Sequence, residues 1–177
     1  MFTIFVIIFI LFAGLYVAAI APEMSRKNQM KAYSGTMFAH RGYHCIEHGI
    51  PENSIPAFKA AIQRGYGIEL DVHLTRDNRL VVFHDDTLKR MCGNDGVIEQ
   101  TNTSDLKELT LLDTPCHIPL LEEVLCLTDG QVPLLIELKM PGADTEICRR
   151  TYDLLNHYHG NFLVQSFNSE ALRWFYR

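Results

Sequence analysis

The chain opens on an unbroken apolar run: no charged side chain occurs from Met1 to Pro22, and Glu23 is the first. As a helix this run would be roughly 33 Å long at about 1.5 Å per residue, enough for a hydrocarbon core of about 30 Å. The pattern therefore predicts a transmembrane anchor over 1–22. A secretory signal peptide is the competing reading, because Ala19-Ile20-Ala21 resembles a small-residue cleavage site, but no basic residue precedes the run and the run is long. Arg26, Lys27 and Lys31 follow it with nothing basic before it, an asymmetry that keeps the remainder of the chain in the cytoplasm. The expectation is a single-pass protein of the cell membrane, N-terminus outside.

A polar linker over 23–35 separates this run from a different pattern, in which short apolar segments bounded by turn residues alternate with helix-like stretches. Extended segments are predicted at Thr36 to His40, Gly67 to Thr75, Arg79 to His84, Pro133 to Lys139 and Phe162 to Phe167. Helices are predicted at Ser54 to Arg64, Ser104 to Leu109, Leu120 to Leu127, Asp144 to His157 and from Ser169 onward. Ser54 is a good helix start with Pro56 in the first turn, and Gly65 is a stop signal. The alternation reads as an α/β fold. Asp77-Asn78 between two β-rich runs predicts a two-residue hairpin, which would set Asp71 opposite His84.

Composition narrows the function classes. A chain 47% hydrophobic and 21% charged is globular, and a net charge of −5 lacks the basic face that nucleic acid would require. The five cysteines are odd in number and form no Cys-x-x-Cys pair, so reduced thiols are expected and a structural zinc site is not. No P-loop, Gly-x-Gly-x-x-Gly or Gly-x-Ser-x-Gly motif occurs.

The candidate chemistry lies in the strands. In Ile68-Glu69-Leu70-Asp71-Val72-His73 the ionisable residues recur every second position, so a strand directs Glu69, Asp71 and His73 to one face. For an isolated segment that face would simply be the solvated one. A second strand, Leu134-Leu135-Ile136-Glu137-Leu138-Lys139, carries Glu137 and Lys139 inside a strongly apolar run, as strands of a buried sheet do. Carboxylates gathered in a buried space repel one another unless neutralised, and a divalent cation neutralises them while taking them as ligands. Glu69, Asp71 and Glu137 are thus metal-ligand candidates, with oxygen-only ligation favouring Mg²⁺ or Ca²⁺ over zinc. His40 and His84 each follow a short apolar strand. Taken singly, such a histidine is most often a hydrogen-bonding loop residue; two beside an acidic strand suit general acid and base roles. Arg41 and Lys139 add positive charge for phosphoryl oxygens, or else form ordinary salt bridges. His73 ranks as a supporting residue near the metal.

Taken in order, His40-Arg41-Gly42, Pro51-Glu52-Asn53-Ser54, Glu69-Leu70-Asp71-Val72, Thr75-Arg76-Asp77, Val81-Val82-Phe83-His84-Asp85, Ile118-Pro119-Leu120 and Ile136-Glu137-Leu138-Lys139 strongly resemble the glycerophosphodiester phosphodiesterase family. The resemblance runs from about Met37 to Phe167. It implies a TIM-type barrel with its active site at the C-terminal strand ends, and hydrolysis of a small glycerophosphodiester to an alcohol and sn-glycerol 3-phosphate. It also implies that His40 and His84 form the acid/base pair, that Glu69, Asp71 and Glu137 hold the metal, and that Arg41 and Lys139 contact phosphate. Glu52 and Asn53 match a signature near the site, and 86–121 resembles the family's small insertion.

A whole barrel takes about 250 residues, and 36–177 is far shorter, so an incomplete barrel truncated at its C-terminal side is expected. Two alternatives remain beside the main reading. One is a lysophospholipase D-like activity on membrane lipids, and the other is a non-catalytic truncated membrane fragment.

Overall fold

The computed structural model describes residues 2–20 and 30–176, which fall into two units, Met1–Gly35 and Thr36–Arg177. In the first, helix α1 covers Phe2–Ile20 and carries no charged residue, and its described side chains, residues 3–18, are all exposed. Among the described residues no helix is long and apolar enough to cross a membrane. The expected span over 1–22 is therefore not supported within the described residues. Residues 1, 21 and 22 of that expected span, with Arg26, Lys27 and most of the linker, lie outside the described residues.

The second unit is built on five strands: β1 (Phe38–Ala39), β2 (Gly67–Leu74), β3 (Leu80–Val82), β4 (Leu134–Leu138) and β5 (Phe162–Gln165). The parallel members lie in the order β1-β2-β4-β5, and β3 pairs antiparallel with β2. Parallel neighbours taken in chain order, each return made through helical segments, are the winding of a barrel wall rather than of a doubly wound sheet. The intervening helices are α2 (Ile55–Gln63), α3 (Lys89–Cys92), α4 (Thr103–Leu106), α5 (Leu121–Thr128), α6 (Glu146–Leu155) and α7 (Ser169–Phe175). All predicted strands and helices of this unit occur, most with shorter ends, while α4 begins one residue earlier and α5 ends one residue later than expected.

Local chemistry sets these boundaries. The Ser54 hydroxyl accepts from the Ala57 N–H and donates to the Pro51 carbonyl, and Gly65 takes a left-handed φ of 67° just beyond the end of α2. Glu123 accepts from the Leu120 N–H at the start of α5, one half of a capping box. Ile68, Leu70 and Val72 of β2 with Leu134, Ile136 and Leu138 of β4 turn one apolar face toward Phe58 and Ala61 of α2, Val124 of α5 and Ile147 of α6. Each such fully buried side chain stabilises the fold by about 1.5–3 kcal/mol. The other face of the same strands carries the ionisable residues. The stretch after β3 folds round its own small cluster, with Leu88, Met91, Ile98, Leu106, Leu111 and Ile118 packed on Val81 and Phe83.

The hairpin register differs from expectation by one residue. Val72 pairs with Val82, His73 with Val81 and Leu74 with Leu80, and the Asp71 backbone carbonyl accepts from the Phe83 N–H, so that Asp71 does not face His84. The loop holds three residues, Arg76 to Asn78, because Thr75 closes it onto Arg79 and Asn78 adopts a left-handed φ of 57°. A turn ended by a left-handed residue makes this longer hairpin, which Asn tolerates as Asp-Gly would have signalled.

Candidate active site

The parallel register places the acidic residues together. Asp71 of β2 pairs directly with Glu137 of β4, and Glu137 with Gln165 of β5, so these three side chains share a face. Glu69 lies two residues before Asp71 on that face, and Lys139 two residues after Glu137. One oxygen from each of Glu69, Asp71 and Glu137 lies within 4.8 Å of the others, and all three residues are buried.

Positive groups and amide donors surround this cluster. Lys139 Nζ lies 2.9 Å from Asp71 Oδ1 and also donates to Glu137 Oε1. Asn53 Nδ2 donates to Asp71 Oδ2 at 2.9 Å, Arg41 Nε lies 3.5 Å from the same oxygen, and Gln165 Nε2 donates to Glu137 Oε2 at 3.4 Å. The backbone N–H of Arg41 donates to Glu69 Oε2 at 2.9 Å. That last bond depends on an unusual turn, for Arg41 and Gly42 have φ of 57° and 81° in succession. Gly42 is required twice over, since a Cβ there would also sit 2.8 Å from the Ala57 Cβ.

Three carboxylates meet two cations here, leaving negative charge in excess. Burial, followed by the nearby charge of Asp71 and Glu137, raises the Glu69 pKa against the opposing Arg41 hydrogen bond. Burial acts to lower the Lys139 pKa, but its bonds to Glu137 and Asp71 outweigh this and raise it. The donor set fits a hard divalent cation: buried oxygen ligands, converging and under-neutralised, with the Asn53 Oδ1 also buried and without a hydrogen-bond partner. Mg²⁺ and Ca²⁺ both suit such a set.

The two histidines stand at the rim. His40, directly after β1, is largely exposed, with Nε2 4.0 Å from Glu69 Oε2. His84, after β3, has Nδ1 2.6 Å from Asp85 Oδ1. His73 is wholly buried and supports His84 from below: its Nε2 lies 3.3 Å from the His84 carbonyl oxygen, and burial lowers its pKa. A carbonyl only accepts, so this contact puts the proton of neutral His73 on Nε2.

The structure thus gathers Arg41, Glu52, Asn53, Glu69, Asp71, Glu137 and Lys139 into one hydrogen-bonded set, with His40 and His84 beside it. Three further residues escaped the sequence reading. Gln165 is a polar end to an apolar strand, a signal that was present but weak. Asp85 follows His84 directly, and Arg90, in α3, donates to both Asp85 and Glu52. Nothing in sequence spacing tied Arg90 to Glu52, 38 residues away.

Comparison with known proteins places the chain in a family. The profile described as the glycerophosphoryl diester phosphodiesterase family matches residues 40–174, and the chain belongs to that family. A glycerophosphodiester phosphodiesterase of Bacillus altitudinis is 32% identical over 157 residues, covering 80% of this chain and 61% of the relative. A phosphodiesterase structure from Oleispira antarctica, in complex with its product sn-glycerol-3-phosphate, superposes with a TM-score of 0.72 at 30% identity, over 81% of this chain and 62% of that one. A lysophospholipase D of Rattus norvegicus is 37% identical over 91 residues, 49% of this chain and 27% of the relative. The chain spans about 60% of the length of the first two proteins.

Proposed function

We propose that this chain carries the catalytic centre of a divalent-cation-dependent phosphodiesterase that hydrolyses glycerophosphodiesters to an alcohol and sn-glycerol 3-phosphate. The observation that carries the reading is the convergence of Glu69, Asp71 and Glu137 within 4.8 Å of one another, ringed by Arg41 and Lys139. A cation held by these carboxylates supplies charge to polarise a phosphoryl oxygen. Arg41 and Lys139 orient the diester through its anionic oxygens, the guanidinium as a fork and the ammonium as a point charge. One histidine of the pair His40 and His84 takes a proton from the nucleophile, either water or the neighbouring glycerol hydroxyl. The other protonates the departing alkoxide, and imidazoles near neutral pH serve both tasks. Glu52 and Asn53 hold Arg41 and Asp71 in place.

Similarity to the rat lysophospholipase D favours a second substrate class, lysophospholipids at a bilayer surface. The exposed apolar side chains of α1 support membrane association, with the catalytic unit on the cytoplasmic side. The purified full chain, given Mg²⁺ or Ca²⁺, separates these readings. Choline release from glycerophosphocholine supports the first, and release confined to lysophosphatidylcholine in vesicles supports the second. No cation-dependent release from either substrate counts against both and leaves a non-catalytic fragment.

A further inference from the structure

Arg90 lies outside the acidic cluster, on a four-residue helix, yet its guanidinium joins both halves of the proposed machinery. Its Nε donates to Asp85 Oδ2 at 2.6 Å and its Nη2 to Asp85 Oδ1 at 3.0 Å, a two-point fork on one carboxylate. The same Nη2 donates to Glu52 Oε1 at 2.6 Å, and that oxygen also accepts from Arg41 Nη1 at 2.9 Å. Asp85 Oδ1 in turn lies 2.6 Å from His84 Nδ1. One cation therefore terminates two chains of contacts, one through Asp85 to His84 and the other through Glu52 to Arg41.

The chemistry of Asp85 decides what this does to the histidine. The Arg90 fork, with His84 assisting, holds the Asp85 carboxyl down at about 2, so at neutral pH it only accepts hydrogen bonds. His84 Nδ1 must then carry the proton, which leaves Nε2 with the lone pair in neutral imidazole. A histidine locked in one tautomer by a carboxylate presents a single nitrogen for proton transfer. Glu52 is likewise held as a carboxylate, because its bonds to Arg90 and Arg41 outweigh the effect of its burial.

We propose that Arg90 is a positioning residue, which fixes the tautomer and ring orientation of His84 through Asp85 and the placement of Arg41 through Glu52. A lysine, with a single point charge, cannot bridge the two carboxylates in the same geometry. The kinetic part of this inference rests on the proposed phosphodiesterase reading, while the structural part does not. Arg90 is half exposed and belongs to neither apolar cluster, its contact with them being Nη1 on the Met91 Sδ at 3.1 Å.

The test combines nitrogen-15 NMR of the histidine rings with steady-state hydrolysis of glycerophosphocholine, on the full chain in mild detergent. The wild-type chain should show His84 as the Nδ1–H tautomer alone. Arg90→Met should give a mixture of tautomers and lower kcat by about tenfold or more, a part of what a positioned base contributes, and Arg90→Lys should fall between. Glu52→Gln should raise KM while His84 keeps its single tautomer. Retention of one tautomer in Arg90→Met overturns the proposal whether or not the chain turns over substrate, as does unchanged kcat in an active chain. Equal disturbance of His84 in Glu52→Gln and Arg90→Met overturns it too, because it signals general loosening. A wild-type chain that is inactive while Arg90→Met still shifts the tautomer counts against the phosphodiesterase reading alone.

Discussion

His84 and Glu69 carry separable duties, and single substitutions distinguish them. His84→Ala, or His40→Ala, should reduce turnover by roughly two to four orders of magnitude, the usual contribution of a placed acid or base, as measured by initial rates at saturating cation. Unchanged rates in either variant would remove that residue from the acid/base pair. Gly42→Ala should destabilise the fold by more than about 1 kcal/mol in urea unfolding, since it combines a left-handed backbone with a contact at 2.8 Å from Ala57. A variant as stable as wild type would mean that the His40-Arg41-Gly42 turn relaxes freely. Glu69 and Asp71 were legible in the sequence because strand periodicity alone puts them on one face, whereas Glu52 and Asn53 enter only through the family resemblance. Asp85 and Arg90 were not legible, because a short helix after β3 brings Arg90 back to Glu52, and only the folded path sets that distance.

The hairpin between β2 and β3 shows where element-level reading stops. Both strands were evident from their β-branched runs, but register depends on loop length, and the third loop residue came from Asn78 accepting a left-handed backbone. Asp77 ties that hairpin to α4: its carboxylate accepts from the Thr103 hydroxyl and N–H and from the Thr75 hydroxyl. These bonds outweigh the slight effect of burial and depress its pKa from 3.8 to about 2. A folded-state pKa below the unfolded one means that the contribution is complete above about pH 4 and is lost as pH falls through about 2. Solvent screening at this exposed site keeps it modest. The stability gap between wild type and Asp77→Asn, taken from urea midpoints, should accordingly be present at pH 6 and shrink toward pH 2. A gap independent of pH would assign the effect to something other than the carboxylate's charge.

At the scale of the whole molecule, the alternation of strand and helix announced an α/β fold, and the ordered motifs announced the barrel family. Chain order alone did not fix the neighbours. The direct juxtaposition of Asp71 with Glu137 follows from β4 lying beside β2, with β3 displaced to an antiparallel position off the parallel path. The apolar N-terminal run predicts a membrane span, which the described residues do not support. The central claim is that three acidic side chains from two strands hold one hard cation. Calorimetric titration of the purified full chain with Mg²⁺ and with Ca²⁺ tests this most directly, alongside Glu69→Gln and Glu137→Gln. The account predicts one cation per chain for at least one of the two metals, bound at least tenfold more weakly in each variant, in the range that loss of an important metal-site group produces. Binding of neither ion by the wild type, or equal affinity in wild type and both variants, would contradict it.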